Sequence, residues 1–144
     1  MKTMMKTRFS LFSGPIFGGL AIAATCAAVT LPVAAQAPSV AMLNALAKGA
    51  WTLRNHESGS TRKVCVRSGR ELIQLRHPQP GCNLSVVSGG DREVTAQYTC
   101  PGDGYGRTTI RYENDDLVQI STQGIQGGKP FSTTYEARHT GPCN

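Results

Sequence analysis

The residue types in this chain that could carry chemistry are His56, His77 and His139, the adjacent acids Asp115-Asp116, and the cysteines Cys65, Cys82, Cys100 and Cys143. Nucleophilic catalysis needs a Ser or Cys, a His and an acid that converge in space. No spacing here brings two of the histidines onto one face of one element. His77 falls in a Pro-rich stretch and His139 near a strand end, so each reads as a partly exposed surface histidine. There is no G-x-S-x-G signature of a strained nucleophile turn. Asp115 and Asp116 are neighbours, which in a strand point to opposite faces, so a solvated hairpin turn is the expectation. Gly102-x-Gly104-x-Gly106 looks like a phosphate-cradling loop, but that role requires a helix to follow. Here Arg107-Thr108-Thr109-Ile110 follows, a strand pattern. The expectation is a non-enzyme with no catalytic, cofactor-binding or metal residues.

The cysteines point to structure instead. Zinc sites usually contain a close pair such as C-x-x-C, and the nearest spacing among these four is Cys65 to Cys82. An even number of cysteines in a small exported domain reads as two disulfides. Sequential pairing, Cys65–Cys82 with Cys100–Cys143, is preferred. Cys82–Cys100 with Cys65–Cys143 is the rival, because Cys82 and Cys100 lie on one face of one hairpin.

Export is read from the first residues. Lys2, Lys6 and Arg8 give a basic start, and no charged residue occurs from Leu11 to Val33. Val33-Ala34-Ala35 then supplies small residues ahead of Gln36-Ala37-Pro38. That order is a secretory signal, with cleavage expected after Ala35 and, as the alternative, after Ala37. The apolar run is long enough to span a bilayer, but Gly14, Pro15, Gly18 and Gly19 weaken it as a helix. Cys26 lacks the residues of a lipoprotein site before it. The chain therefore divides into a signal peptide (1–35), a short helix or linker (36–48) and a disulfide-bonded β domain (49–144), with no stable membrane span after cleavage. Losing Lys2, Lys6 and Arg8 takes the formal charge from +6 to +3. The remaining bases are interspersed with acids, which gives no nucleic-acid footprint.

The elements follow from periodicity. Ser39 caps a short helical pattern through Val40, Leu43 and Leu46, which Gly49 stops. Ser68 and Glu71 form a capping-box pair ahead of a second short helix, ended by Pro78, Pro80 and Gly81. Elsewhere the period is two: Trp51 and Leu53; Val64 and Val66; Val94, Ala96, Tyr98 and Cys100; Thr108, Ile110 and Tyr112; Val118 and Ile120; and Phe131, Thr133, Tyr135 and Ala137. Turn signals recur at Pro101-Gly102-Asp103-Gly104, Glu113-Asn114-Asp115-Asp116 and Gly127-Gly128-Lys129-Pro130. The expected fold is mainly β, an antiparallel meander of six to seven strands forming a curved sheet or partial barrel, with two short helices. A three-residue loop at Gly89-Gly90-Asp91 would set Val86 opposite Val94, Leu84 opposite Ala96 and Cys82 opposite Tyr98, with the apolar members on one face.

The ordered set Gly49-Ala50-Trp51, Cys65, Cys82, Cys100 and Gly141-Pro142-Cys143 resembles the DUF3617 family of bacterial envelope proteins over residues 49–144. The segment from Arg70 to Pro80 is longer than that pattern. The resemblance implies a periplasmic location in Gram-negative bacteria and no activity, since the family is of unknown function. Tyr98-Thr99-Cys100, Gly104 and Arg111-Tyr112-Glu113-Asn114 are similar to a stretch of periplasmic inhibitors of c-type lysozyme.

Strand alternation places Arg107, Thr109, Arg111, Gln119, Ser121, Ser132, Thr134, Glu136 and Arg138 on the solvent side. They would form a polar, slightly basic face suited to an anionic or sugar-like envelope component. The functional expectation is a non-catalytic binding or structural module of the envelope, its partner an envelope polymer, a lipid or a protein. The alternative is an inhibitor of a cell-wall hydrolase.

Overall fold

The computed structural model describes residues 39–144. The expected leader, Cys26 and both candidate cleavage points lie outside the described residues. Seven strands run antiparallel: β1 (Gly49–Asn55), β2 (Thr61–Val66), β3 (Asn83–Gly89), β4 (Glu93–Cys100), β5 (Gly104–Asn114), β6 (Leu117–Gln126) and β7 (Lys129–Gly141). Their spatial order is β2-β1-β7-β6-β5-β4-β3. From β3 to β7 each strand pairs with the next through a short turn, and the β1–β2 hairpin then docks on the far side of β7.

The sheet is open, which corrects the expected curved sheet or partial barrel. Closure would require β2 to pair with β3, yet each of these edges has a single neighbour. The expected helices are also corrected: among the described residues both are short 3-10 stretches, Ala41–Ala45 and Arg70–Leu72. A free-standing helix of a few residues gains too few i→i+4 bonds to offset nucleation. Three-residue spacing instead lets Leu43 and Leu46 bond back to Val40 and Leu43. The Ser68 amide does donate to Glu71 Oε2, 3.2 Å away, as the capping pattern requires, but the chain leaves the turn directly afterwards. No helix among the described residues is long and apolar enough to cross a membrane.

These irregular segments make a closed barrel unnecessary. Met42, Leu43 and Leu46 from the first, with Leu72, Ile73 and Leu75 from the second, cover one face of the sheet. Beneath them Trp51, Leu53, Val66, Val94, Ala96, Tyr98, Ile110, Val118, Ile120 and Ala137 are buried. Each Val, Leu, Ile or Met side chain among them stabilises the domain by about 1.5–3 kcal/mol when removed from water. The two covers meet at Gly69, which has φ +77° and whose missing Cβ would stand 2.7 Å from Leu43 Cβ. Buried polar groups pin the second cover: Thr108 Oγ1 donates to the Ile73 carbonyl at 2.7 Å and lies 2.9 Å from Thr122 Oγ1.

The β3–β4 register differs from the expected one by two residues. Val86 faces Ala96 and Leu84 faces Tyr98. The difference arises at the turn, which closes on Gly89 opposite Val94 and so sets the register three residues from the expected one. Val87, an extra, 42 % exposed residue between Val86 and Ser88, then takes one back, as a β-bulge does. The net shift of two keeps Leu84 and Val86 on the core face. It does move Cys82 from opposite Tyr98 to opposite Cys100. The observed bridges are accordingly Cys82–Cys100, with Cα atoms 4.2 Å apart, and Cys65–Cys143, at 5.6 Å. The preferred sequential pairing is thus replaced by its rival. The strand order explains why: β4, which carries Cys100, lies three strands from β7, about 14 Å away. Cys65 and Gly141 instead flank Ala50 from opposite sides, so Pro142 and Cys143 reach Cys65 across β1.

Candidate functional site

The structure scatters most of the titratable candidates. Asp115 and Asp116 form the β5–β6 turn, and the Tyr112 hydroxyl donates to Asp115 Oδ1. His139 Nδ1 lies 3.3 Å from Asp116 Oδ1, the one His–Asp pair among the acids and histidines singled out in the sequence. Its Nε2 is enclosed and without a partner; it points at the Gly49 backbone, where a Cβ would come within 2.8 Å. His56 is exposed, with its amide bonded to the Thr134 carbonyl. Among the described residues no three His, Cys, Asp or Glu side chains cluster as a metal site would require.

His77 is fully buried, not a partly exposed surface residue. The Pro-rich segment that reads as loop lies over the core face, driving the ring between Tyr98 and Phe131. Its Nδ1 and the Tyr98 hydroxyl are 3.1 Å apart. With Tyr98 donating, the ring proton sits on Nε2, facing Asp103 Oδ2 at 3.8 Å. That contact is too long for a hydrogen bond, but Asp103 accepts from Gln79 Nε2 at 2.9 Å and from the Gly127 amide at 3.1 Å. The Pro101–Asp103 turn is therefore tied down on two sides. The arrangement needs Gly106, because a Cβ there would come within 2.8 Å of three Tyr98 ring and hydroxyl atoms. These contacts lock the cover to the sheet.

Burial raises the Tyr98 phenol above the ordinary tyrosine value of about 10. A raised folded pKa means that this contribution to stability is complete below about pH 10 and is lost as pH climbs through the folded value. Tyr98→Phe should cost about 1 kcal/mol at pH 7 through the lost bond to His77, with the gap to wild type narrowing by pH 11. Urea midpoints at the two pH values check this; an unchanged gap would contradict it.

The opposite face of the sheet carries no covering segment among the described residues. All of the expected solvent-side residues lie on it, in cross-strand rows. One row runs Thr95, Thr109, Ser121, Thr134 and another Glu93, Arg111, Gln119, Glu136, Arg54. A third runs Gln97, Arg107, Gln123, Ser132, and beside it lies Tyr105, Ile125, Pro130. Tyr105 is 46 % exposed. Sequence reading missed Tyr105, Gln97 and Gln123. The period-two signal that finds them is present, two positions before Arg107 and two after Ser121, but the glycines around Tyr105 read as turn.

The face is electrostatically uneven. Arg111 pairs with Glu113 at 2.9 Å, and Arg138 and Arg54 both reach Glu136, at 3.0 and 3.8 Å. Arg138's hydrogen bond holds the Glu136 carboxyl below the usual carboxylate range. Arg107 has no such carboxylate among the described residues.

No family model, curated protein or solved structure matches the chain. His77 is sealed in the core, whereas the His139–Asp116 pair is partly open to solvent through Asp116. On the open face Arg107, Ser121, Gln123 and Ser132 are exposed, while Thr95 is buried against Thr109 and Thr134 donates to Glu57.

Proposed function

We propose that this chain is a non-catalytic binding module of the bacterial envelope that holds an extended polymer across the open face of its sheet. The observation that carries the reading is the in-register array of Ser, Gln and Arg side chains from β4 to β7 that no segment among the described residues covers. Such rows repeat at the strand spacing of about 4.8 Å and offer hydrogen bonds along a line, as a chain of polar repeats requires. An envelope location is supported by the signal-like leader, by the disulfides and by the resemblance to the DUF3617 family.

The test is co-sedimentation of the purified chain with insoluble cell-wall polysaccharide. Wild type should sediment. Ser121→Trp, which places a bulky ring in the middle of the face at an exposed position, should reduce the bound fraction about tenfold while far-ultraviolet circular dichroism stays the same. Failure of wild type to sediment, or equal sedimentation by Ser121→Trp, would overturn the reading.

A further inference from the structure

We infer that the Tyr105–Arg107 end of the open face is a subsite for one anionic sugar unit, a pyranose bearing a carboxylate or a phosphate. This rests on the polymer-binding reading above and narrows it to a ligand class. Tyr105 and Arg107 project from β5 on the same side, two residues apart, with Ile125 beside the tyrosine and Gln97 and Gln123 flanking the arginine in register. They line a shallow cleft of about 330 Å³, a volume at the small end for ligand sites and suited to a single ring.

The chemistry of each part matches a charged sugar. A pyranose has an apolar C–H face and a polar rim, and an exposed aromatic ring next to an aliphatic side chain receives the apolar face. The arginine fork matches a carboxylate or phosphate with two parallel hydrogen bonds. Gln97 and Gln123 each present a donor and an acceptor to neighbouring hydroxyls. None of these four side chains makes a hydrogen bond within the described residues. Arg54, Arg111 and Arg138, in contrast, already have carboxylates of the chain itself. The ligand's anion supplies at Arg107 what Glu113 and Glu136 supply elsewhere.

The experiment is biolayer interferometry of the purified chain on immobilised polygalacturonate, poly(glycerol phosphate) and dextran. Wild type should bind at least one anionic polymer about tenfold more tightly than dextran, the magnitude expected of one charge-assisted contact. The polymer preferred identifies the anion as carboxylate or phosphate. Arg107→Gln should abolish that preference, and Tyr105→Ala should weaken binding to every polymer that wild type holds. Arg67→Gln, which removes an equal charge at an exposed position on the covered side of the sheet, should leave the preference intact. The subsite is overturned if Arg107→Gln keeps the preference, if Arg67→Gln removes as much of it, or if Tyr105→Ala binds unchanged. Equal binding to dextran and the anionic polymers sinks the subsite and leaves the broader reading standing. Binding to none of the three, together with failure to co-sediment with cell-wall polysaccharide, sinks both.

Discussion

A chain carrying Cys65→Ala and Cys143→Ala together should lose about 4 kcal/mol of stability at pH 7, read as a fall in the urea midpoint. The bridge spans a sequence separation of 78, so cutting it returns a long loop's freedom to the unfolded chain. The Cys82–Cys100 bridge spans 18, and its removal should cost less, about 3 kcal/mol. Against a total stability of about 5–15 kcal/mol for a small domain, the first loss brings the protein close to unfolding.

The long bridge also does a job the short one does not. β3 to β7 are joined by successive turns, and Cys82–Cys100 crosses a hairpin that backbone bonds already close. The β1–β2 hairpin reaches β7 only by returning from far along the chain, pairing Ala50 with Gly141. Cys65–Cys143 ties β2 to the segment after β7 over the top of β1, fixing that return. In the double variant, β1 and β2 should lose amide-exchange protection before β4, β5 and β6 do. Uniform loss of protection, or a midpoint equal to wild type, would show that the docking does not depend on the bridge.

That contrast separates what the sequence displays from what it conceals. Glu93–Cys100 is legible because Val94, Ala96, Tyr98 and Cys100 alternate without interruption. The turns at Pro101-Gly102, Asp115-Asp116 and Gly127-Gly128 are legible because their residue types suit tight turns. All of that information is local. The docking of residue 50 against residue 141 is not local, and no pattern near either one announces it. The pairing of the cysteines follows from it and is hidden for the same reason. The β3 register is concealed by a turn that closes on Gly89 and Val94 and by the bulge at Val87, since a valine in a bulge looks like a valine in a ladder. His77 conceals its burial because a histidine among prolines is usually exposed, and only the position of the Arg70–Gly81 segment over Tyr98 shows otherwise. The open face lies between these extremes. Its rows can be read from alternation wherever strands are regular, and they are lost at Tyr105, where Gly102, Gly104 and Gly106 hide the start of β5.

Trp51→Ala should cost about 3–5 kcal/mol, the range for truncating a fully buried aromatic side chain. The indole has no solvent exposure. Its Nε1–H donates to the Ala47 carbonyl at 2.8 Å, and the Ala47 amide in turn donates to the Asp115 carbonyl at 2.9 Å. Trp51 therefore holds the 39–48 cover to β1 while the β5–β6 turn holds it from the other side. Its ring also packs 5.9 Å from that of His139 on β7, so one side chain joins β1, β7 and the cover. Two effects are separable by a second variant. Trp51→Phe retains a ring but not the donor, so it should recover most of the stability while leaving the Ala47 carbonyl without that bond. If the hydrogen bond fixes the cover, Trp51→Phe will be cleaved by protease within residues 39–48 faster than wild type, even though its urea midpoint lies well above that of Trp51→Ala. Equal cleavage rates for Trp51→Phe and wild type would assign the whole effect to packing. The open face, on the far side of the sheet, should then bind polymer alike in both proteins.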